Sequence, residues 1–265
     1  MHELPLVLGT TLIVTLACFF VLWLLSIPLK NASIVDIFWG PGFGVIAVVA
    51  WFLADGAPAR QNLLTALTVI WAARLGLYLA WRNIGHGEDP RYRRMREKTE
   101  AAGGNFAAAS LVKVFALQGV LMWLISTPVQ VGQVYDEPQG LGIVAAIGAA
   151  LWLIGFLFEA VGDWQLARFK ADPANKGEVM DRGLWRYTRH PNYFGNACLW
   201  WGLFVIACEN PVGLWTLYAP VAMTFLLLKV SGVSLLERSL KKTKPKYEDY
   251  VRRTSAFFPL PPKKD

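Results

Sequence analysis

Charged residues fall in clusters along this chain, and apolar runs long enough to cross a bilayer separate them. No charge occurs between Glu3 and Lys30. Ile37 to Ala54 is a second uncharged run, and Gln61 to Trp81 a third, broken only by Arg74. Val114 to Tyr135, Pro138 to Phe158, His190 to Cys208 and Asn210 to Leu228 follow, with a short turn at Glu209-Asn210-Pro211 between the last two. A spanning helix needs roughly 20 mostly apolar residues. The pattern therefore predicts an all-α integral membrane protein of about seven transmembrane helices. Only His2 and Glu3 precede the first run, which lacks a basic leader and is too long for the apolar part of a signal peptide, so a retained helix is expected.

Composition agrees with the pattern. Hydrophobic residues make up 55% and charged residues 17% of the 265-residue chain, against about 25% charged in a soluble domain. The basic residues also choose sides. Segment 82–113 holds Arg82, Arg91, Arg93, Arg94, Arg96, Lys98 and Lys113, and segment 163–189 holds Arg168, Lys170, Lys176, Arg182, Arg186 and Arg189. Ten more lie between Lys229 and Lys264. The alternate loops carry only Asp55 with Arg60, Asp136 with Glu137, and Glu209. The positive-inside rule then places the N-terminus outside and the C-terminus in the cytoplasm. The net charge of +7 is mostly this topological signal, and contact with anionic headgroups accounts for most single cations. No nucleic-acid motif is present. Cys18, Cys198 and Cys208 lie in apolar runs without a CxxC pair or a Cys/His cluster, so no metal site or disulfide framework is expected. The chain reads as a single membrane-embedded domain, 1–265.

The densest polar stretch runs from Asp163 to Asn196. Short helical pieces are expected there, broken at Asp172-Pro173 and Gly183. Trp164, Phe169, Trp185, Tyr187, Tyr193 and Phe194 alternate with Arg, Lys, Asp and Asn. Cations pair with phosphate, aromatic rings stack, and Asp or Asn exchange hydrogen bonds with hydroxyls and amides. That mixture suits a nucleotide-like ligand, while each aromatic taken singly also fits an interfacial belt. Asn192 and Asn196 are four apart and share one helix face. Amides in hydrocarbon are costly, so that face is expected to meet a polar cavity or ligand. Gly40-Pro-Gly-Phe-Gly44 lacks the strand–turn–helix setting of a dinucleotide loop and reads as a bending or close-packing element.

Several strings carry a family resemblance. Gly183-Leu-Trp-Arg-Tyr-Thr-Arg-His-Pro-Asn-Tyr-Phe-Gly195 with Leu199-Trp-Trp-Gly202 resembles the signature of the DUF1295 membrane proteins. Ser33-Ile-Val-Asp-Ile-Phe-Trp-Gly40, Asp89-Pro-Arg-Tyr-Arg-Arg-Met-Arg-Glu97, Ser231-Gly232 with Glu237, and Tyr247-Glu-Asp-Tyr250 extend the likeness over nearly the whole chain. These proteins belong with the steroid 5-alpha-reductase C-terminal domain family, whose relatives include sterol C14-reductases. The resemblance implies a membrane oxidoreductase that holds NADPH on the cytoplasmic side and reduces an activated C=C bond in a steroid-like or other lipid, with substrate-pocket helices in 1–135 and a cofactor-binding half in 138–265. It implies that Asp163 with Lys170, and Trp185, Arg189, His190, Asn192 and Tyr193, hold the cofactor, joined by Glu237 and Tyr250. Glu159 stands where the reductases carry Asn, and Asn196 where many relatives carry Asp or Glu.

On the substrate side, 5-alpha-reductases use a Glu and a Tyr on early helices, and this chain has no Gln-Glu pair in its second run. The candidates are Asp36, Arg74 and Tyr78; Arg74 lies one turn from Tyr78 on the same helix face. Arg74 reads either as a functional charge within a span or as a snorkelling side chain or structural partner of Asp36. The expected reaction delivers hydride from NADPH to the β-carbon of an enone, with a donor such as Tyr78 stabilising the enolate oxygen. Two rival readings stand. Isoprenylcysteine-type membrane methyltransferases also carry an Arg-His-Pro-x-Tyr string and a Tyr-x-x-Tyr tail, but with a Glu-Glu pair where this chain has Leu236-Glu237. A non-catalytic lipid-binding protein would retain the fold alone. The expected partners are a lipid-like substrate and membrane lipids, with no nucleic acid and no metal, and the expected location is a bacterial inner membrane.

Overall fold

The computed structural model describes residues 3–230, 232–233, 237, 240 and 243–263. His2 of the N-terminal reading and Ser231 of the family string lie outside them. The described residues form helices joined by turns and loops, and the isolated bridge between Thr188 and Ser255 is their one strand-like pairing. Six helices are long and apolar enough to cross a membrane, which makes this a multi-pass membrane protein. They are α1 (Glu3–Leu29), α2 (Ile34–Leu53), α3 (Pro58–Asn83), α5 (Phe106–Ile125), α7 (Ile143–Ala171) and α9 (Pro211–Val230). Between them lie α4 (Pro90–Ala101), α6 (Thr127–Gly132) and α8 (Pro191–Ala207), and α10 (Tyr247–Arg253) follows.

Several boundaries differ from the charge-gap reading, those of the fourth and fifth spans most. The fourth span begins at Phe106 rather than at Val114. Lys113 does not stop it, because its side chain is exposed and a long ammonium stem can run out to the interface; the helix passes it through a π-helical stretch, Leu111–Ala116. The fifth span does not end at Phe158. The same helix continues to Ala171, a length of 29 residues. At 1.5 Å per residue this is about 43 Å, longer than a ~30 Å hydrocarbon core. Glu159, Asp163 and Lys170 therefore sit on one continuous helix with the span, not on separate short pieces.

The chain divides into two compact units, Met1–Gly142 with Ala207–Thr216, and Ile143–Ile206 with Leu217–Asp265. In the first unit, α2 and α3 meet backbone to backbone. A Cβ on Gly40 would lie 3.0 Å from the Ala72 carbonyl, and one on Gly76 would lie 2.6 Å from the Pro41 ring. Buried polar groups are tied to backbone carbonyls, as a water-free interior demands. Arg60 is fully buried. It donates to the carbonyls of Gly132 (2.8 Å), Pro138 (3.3 Å), Glu137 (3.4 Å) and Tyr135. Gln61 donates to Gln133 O at 3.0 Å, and Gln133 in turn donates to Val129 O at 3.1 Å.

In the second unit, α7 and α8 pack along a seam of glycines. Gly148, Gly155 and Gly162 recur every seven residues on α7. A Cβ on Gly148 would meet the Gly202 carbonyl at 2.7 Å, and one on Gly155 the Gly195 carbonyl at 2.5 Å. A Cβ on Gly195 would lie 2.4 Å from the Glu159 amide nitrogen. Close approach of this kind is how helices associate where no hydrophobic drive separates lipid from protein. It sets α7 and α8 near enough for short polar side chains to meet across the seam.

Candidate ligand site

The seam brings two acid–amide pairs together. Asn192 Nδ2 donates to Asp163 Oδ1 at 3.0 Å. One turn along, Asn196 Nδ2 lies 3.4 Å from both carboxylate oxygens of Glu159. Glu159 and Asp163 are each only 4% exposed. The spacings match: both the two acids on α7 and the two amides on α8 are four residues apart, so each pair shares a helix face. The Asn192 oxygen accepts from the Tyr193 amide at 3.0 Å, which orients the side chain towards Asp163.

The turn preceding α8 is held from several sides. Trp185 Nε1 donates to the Gly162 carbonyl at 3.0 Å. The Tyr250 hydroxyl donates to the Trp185 carbonyl, and Gln165 Oε1 accepts from the Leu184 amide at 3.0 Å. Gly183, at φ +59°, opens this turn in the left-handed region that favours glycine. Arg189 is 8% exposed. Its Nε donates to Glu237 Oε1 at 2.8 Å, and its terminal nitrogen donates to the carbonyls of Val251 (3.1 Å) and Thr254.

Glu237 joins Arg189 to His190, whose Nε2 lies 3.1 Å from the same oxygen. Although burial opposes ionisation, the bonds from His190 and Arg189 hold the Glu237 carboxyl down to about 2. Burial lowers the proton affinity of His190 by more than Glu237 raises it, so the ring is neutral near pH 7. A neutral ring that donates from Nε2 to a carboxylate leaves Nδ1 as an acceptor. His190 stacks on Tyr193 with ring centroids 5.5 Å apart and planes 9° from parallel. Burial pushes the Tyr247 hydroxyl up to about 12, and pushes that of Tyr250 up as well.

The buried side-chain atoms without a hydrogen-bond partner among the described residues include two acceptors on α8 and the turn before it, His190 Nδ1 and Asn196 Oδ1. A buried unpaired acceptor costs roughly 1–3 kcal/mol. Each is suited to a ligand that brings an N–H or O–H. Of the residues assigned to cofactor binding, Glu159, Asp163, Trp185, Arg189, His190, Asn192, Tyr193, Asn196, Glu237 and Tyr250 are joined by these bonds and contacts. Lys170 is exposed near the end of α7, seven residues beyond Asp163. The partners of Arg189 in the C-terminal segment, and the anchoring role of Gln165, carry no local sequence signal. The glycine spacing on α7 does.

The first unit holds the remaining three candidates. The Asp36 carboxylate accepts from the Tyr92 hydroxyl at 2.7 Å and from Arg91 at 2.7 Å. Gln118 Nε2 lies 3.3 Å from the same hydroxyl. Asp36 thereby fastens the polar helix α4 to the start of α2. Burial beside Asp36 raises the Tyr92 hydroxyl well above the usual phenol range. The Arg74 guanidinium lies 5.3 Å from the Tyr78 ring centroid, a cation–π distance. Glu88, through Arg96 (2.8 Å) and the Ala32 amide (2.8 Å), is a second clasp on α4 that the sequence reading missed.

The described residues contain no group of three or more His, Cys, Asp or Glu placed to hold a metal ion. No solved structure matches the chain. An uncharacterized protein of the yeast Schizosaccharomyces pombe is 24% identical, in an alignment covering 90% of this chain and 76% of the relative. The model of a family described as proteins of unknown function, DUF1295, matches residues 22–254. The chain belongs to the DUF1295 family.

Proposed function

We propose that this protein is an NADPH-dependent membrane oxidoreductase that reduces an activated C=C bond of a steroid-like or other lipid. The observation that carries the reading is the buried seam of Glu159, Asp163, Asn192, Asn196 and His190. It is polar, preorganised and supplied with two unpartnered acceptors. A carboxamide N–H and ribose hydroxyls are donors of the type these acceptors need. NADPH, when bound, supplies the hydride; the protein supplies position and electrostatics. His190 and Asn196 accept from the bound group, Asp163 holds Asn192 in place, and Arg189 keeps the C-terminal segment against the turn.

For the substrate oxygen, the candidates are Tyr78 and Arg74, whereas Asp36 is already engaged by Arg91 and Tyr92. In this reading α8, with 17 residues, crosses as a seventh span. The N-terminus is then outside and the C-terminus in the cytoplasm of a bacterial inner membrane, as the basic segments favour. Turnover of a panel of lipid enones with NADPH deuterated at nicotinamide C4 tests the reaction. Deuterium on the product β-carbon is expected; its absence from every enone product rejects the chemistry.

One observation favours a second reading. Arg189, His190, Glu237 and the Tyr247/Tyr250 tail also converge in the way a membrane methyltransferase motif would require. S-Adenosylmethionine is therefore the competing ligand in any binding test.

A further inference from the structure

A concavity borders the same turn in the second unit. It has a volume of about 690 Å³ and is lined by Asp181, Arg182, Arg186, Tyr250, Arg253, Thr254 and Lys263 among others. Four cations thus face one carboxylate. Asp181 lies 3.6 Å from Arg253, a pair in which both side chains are about 40% exposed, so three cations remain without a carboxylate in the lining. They come from segments about seventy residues apart in sequence, which separates this cluster from a run of orientation signals in one loop. Backbone bonds pin the segments together, Leu260 N to Tyr187 O at 3.0 Å and Arg189 N to Ser255 O at 2.9 Å, and Lys263 N to Arg253 O at 2.9 Å folds the tail back on itself.

Like charges gathered at a fixed concave surface repel one another unless an anion offsets them. Guanidinium forks and an ammonium suit the tetrahedral oxygens of phosphate. A smaller cavity of about 330 Å³ shares Arg253, Thr254 and Lys263 with this one and is also lined by Arg189.

We propose that the pocket formed by Arg182, Arg186, Arg253 and Lys263 is a phosphate-binding site. Its ligand is a phosphate group, carried either on a soluble molecule or on an anionic lipid headgroup. The exposed Phe258 and Leu260 on the same pinned tail are consistent with the second source. The site does not require the reductase reading, since neither probe below is a nicotinamide.

The full chain is reconstituted in phosphatidylcholine nanodiscs and titrated with inorganic pyrophosphate, and in parallel placed in discs containing phosphatidylglycerol. The readouts are melting temperature and, for pyrophosphate, affinity. A rise in melting temperature with pyrophosphate in the neutral discs supports the site with a soluble source. Arg186→Gln/Lys263→Gln should then weaken binding about tenfold or more, and added salt should do so progressively. A rise only in the anionic discs, lost in the double variant, supports a headgroup source. If the double variant does not fold, Arg182→Gln is measured in its place. No response to either probe, or a variant that responds like the parent, overturns the proposal.

Discussion

Asn192 on α8 donates a 3.0 Å hydrogen bond to the buried carboxylate of Asp163 on α7. This bond both closes the helix seam and fixes the candidate ligand face. Replacing Asn192 by Ala takes a donor from a buried acceptor, which costs about 1–3 kcal/mol. Asn192→Ala should therefore lower the melting temperature by several degrees yet still fold, and its stabilisation by NADPH should vanish. Undiminished NADPH stabilisation in a folded Asn192→Ala protein would remove this residue from the site.

The glycine seam makes a sharper structural prediction. A Cβ at position 195 would sit 2.4 Å from the Glu159 amide nitrogen, a backbone atom that cannot rotate away. Gly195→Ala should cost about 1–3 kcal/mol by overpacking. Gly9→Ala on α1 is the control, because nothing lies within 4 Å of its Cβ, and Ala is the better helix former by about 1 kcal/mol. Thermal unfolding of the two variants should move in opposite directions. Equal effects would mean that α7 and α8 do not meet as described.

Glu237 links stability to acid. Its folded-state value, about 2, lies below the ordinary 4.5. A depressed carboxylate contributes stability that is complete above about 4.5 and lost as pH falls towards 2. His190 acts in the same direction from a higher pH. Its folded value is lowered from 6.5, so the unfolded chain binds the proton more readily and stability falls as pH drops below 6.5. Glu237→Gln should flatten the acid limb between pH 4.5 and 2. At neutral pH it should cost about 1.5–3 kcal/mol, since Arg189 loses a partly buried charged partner. Melting temperature against pH for parent and variant checks both statements, and parallel acid limbs would contradict them.

Asp36 separates anchoring from chemistry. It accepts from Tyr92, which is buried, and from Arg91, which is 48% exposed. Tyr92→Phe should cost on the order of 1 kcal/mol. Arg91→Ala should cost less than about 1 kcal/mol, because exposed pairs are screened. The reverse order in thermal unfolding would show that the outer ion pair, not the phenol, holds α4.

Much of this arrangement was legible in the sequence, and the remainder was illegible for identifiable reasons. Asn192 and Asn196 announce a polar helix face by their four-residue spacing. The charge gaps locate the six long apolar helices. Lys113 misplaces one boundary, because an exposed lysine on an interfacial turn does not end a helix. The same gaps cut α7 at Phe158, although acids on its seam face continue it. Arg60 looks like a loop cation and is a fully buried clasp for four carbonyls, a role set by backbone geometry 72 to 78 residues away. Glu237 reaches Arg189 and His190 across 48 and 47 residues, a separation over which no local pattern carries information. Gly148, Gly155 and Gly162 recur every seven residues, a spacing the sequence reading passed over, because only the facing glycines on α8 give it meaning.

The central claim is that the α7–α8 seam and the Arg189–Glu237–His190 cluster hold a reduced nicotinamide nucleotide. Thermal stabilisation of the purified protein by NADPH, NADH and S-adenosylmethionine, measured side by side, tests it most directly. A ligand that binds only the folded state raises stability by about 2.7 kcal/mol at 100 times its dissociation constant. A clear rise with NADPH and none with S-adenosylmethionine is the predicted result. A rise with S-adenosylmethionine alone would contradict the account and make His190 and Glu237 part of a methyl-donor site.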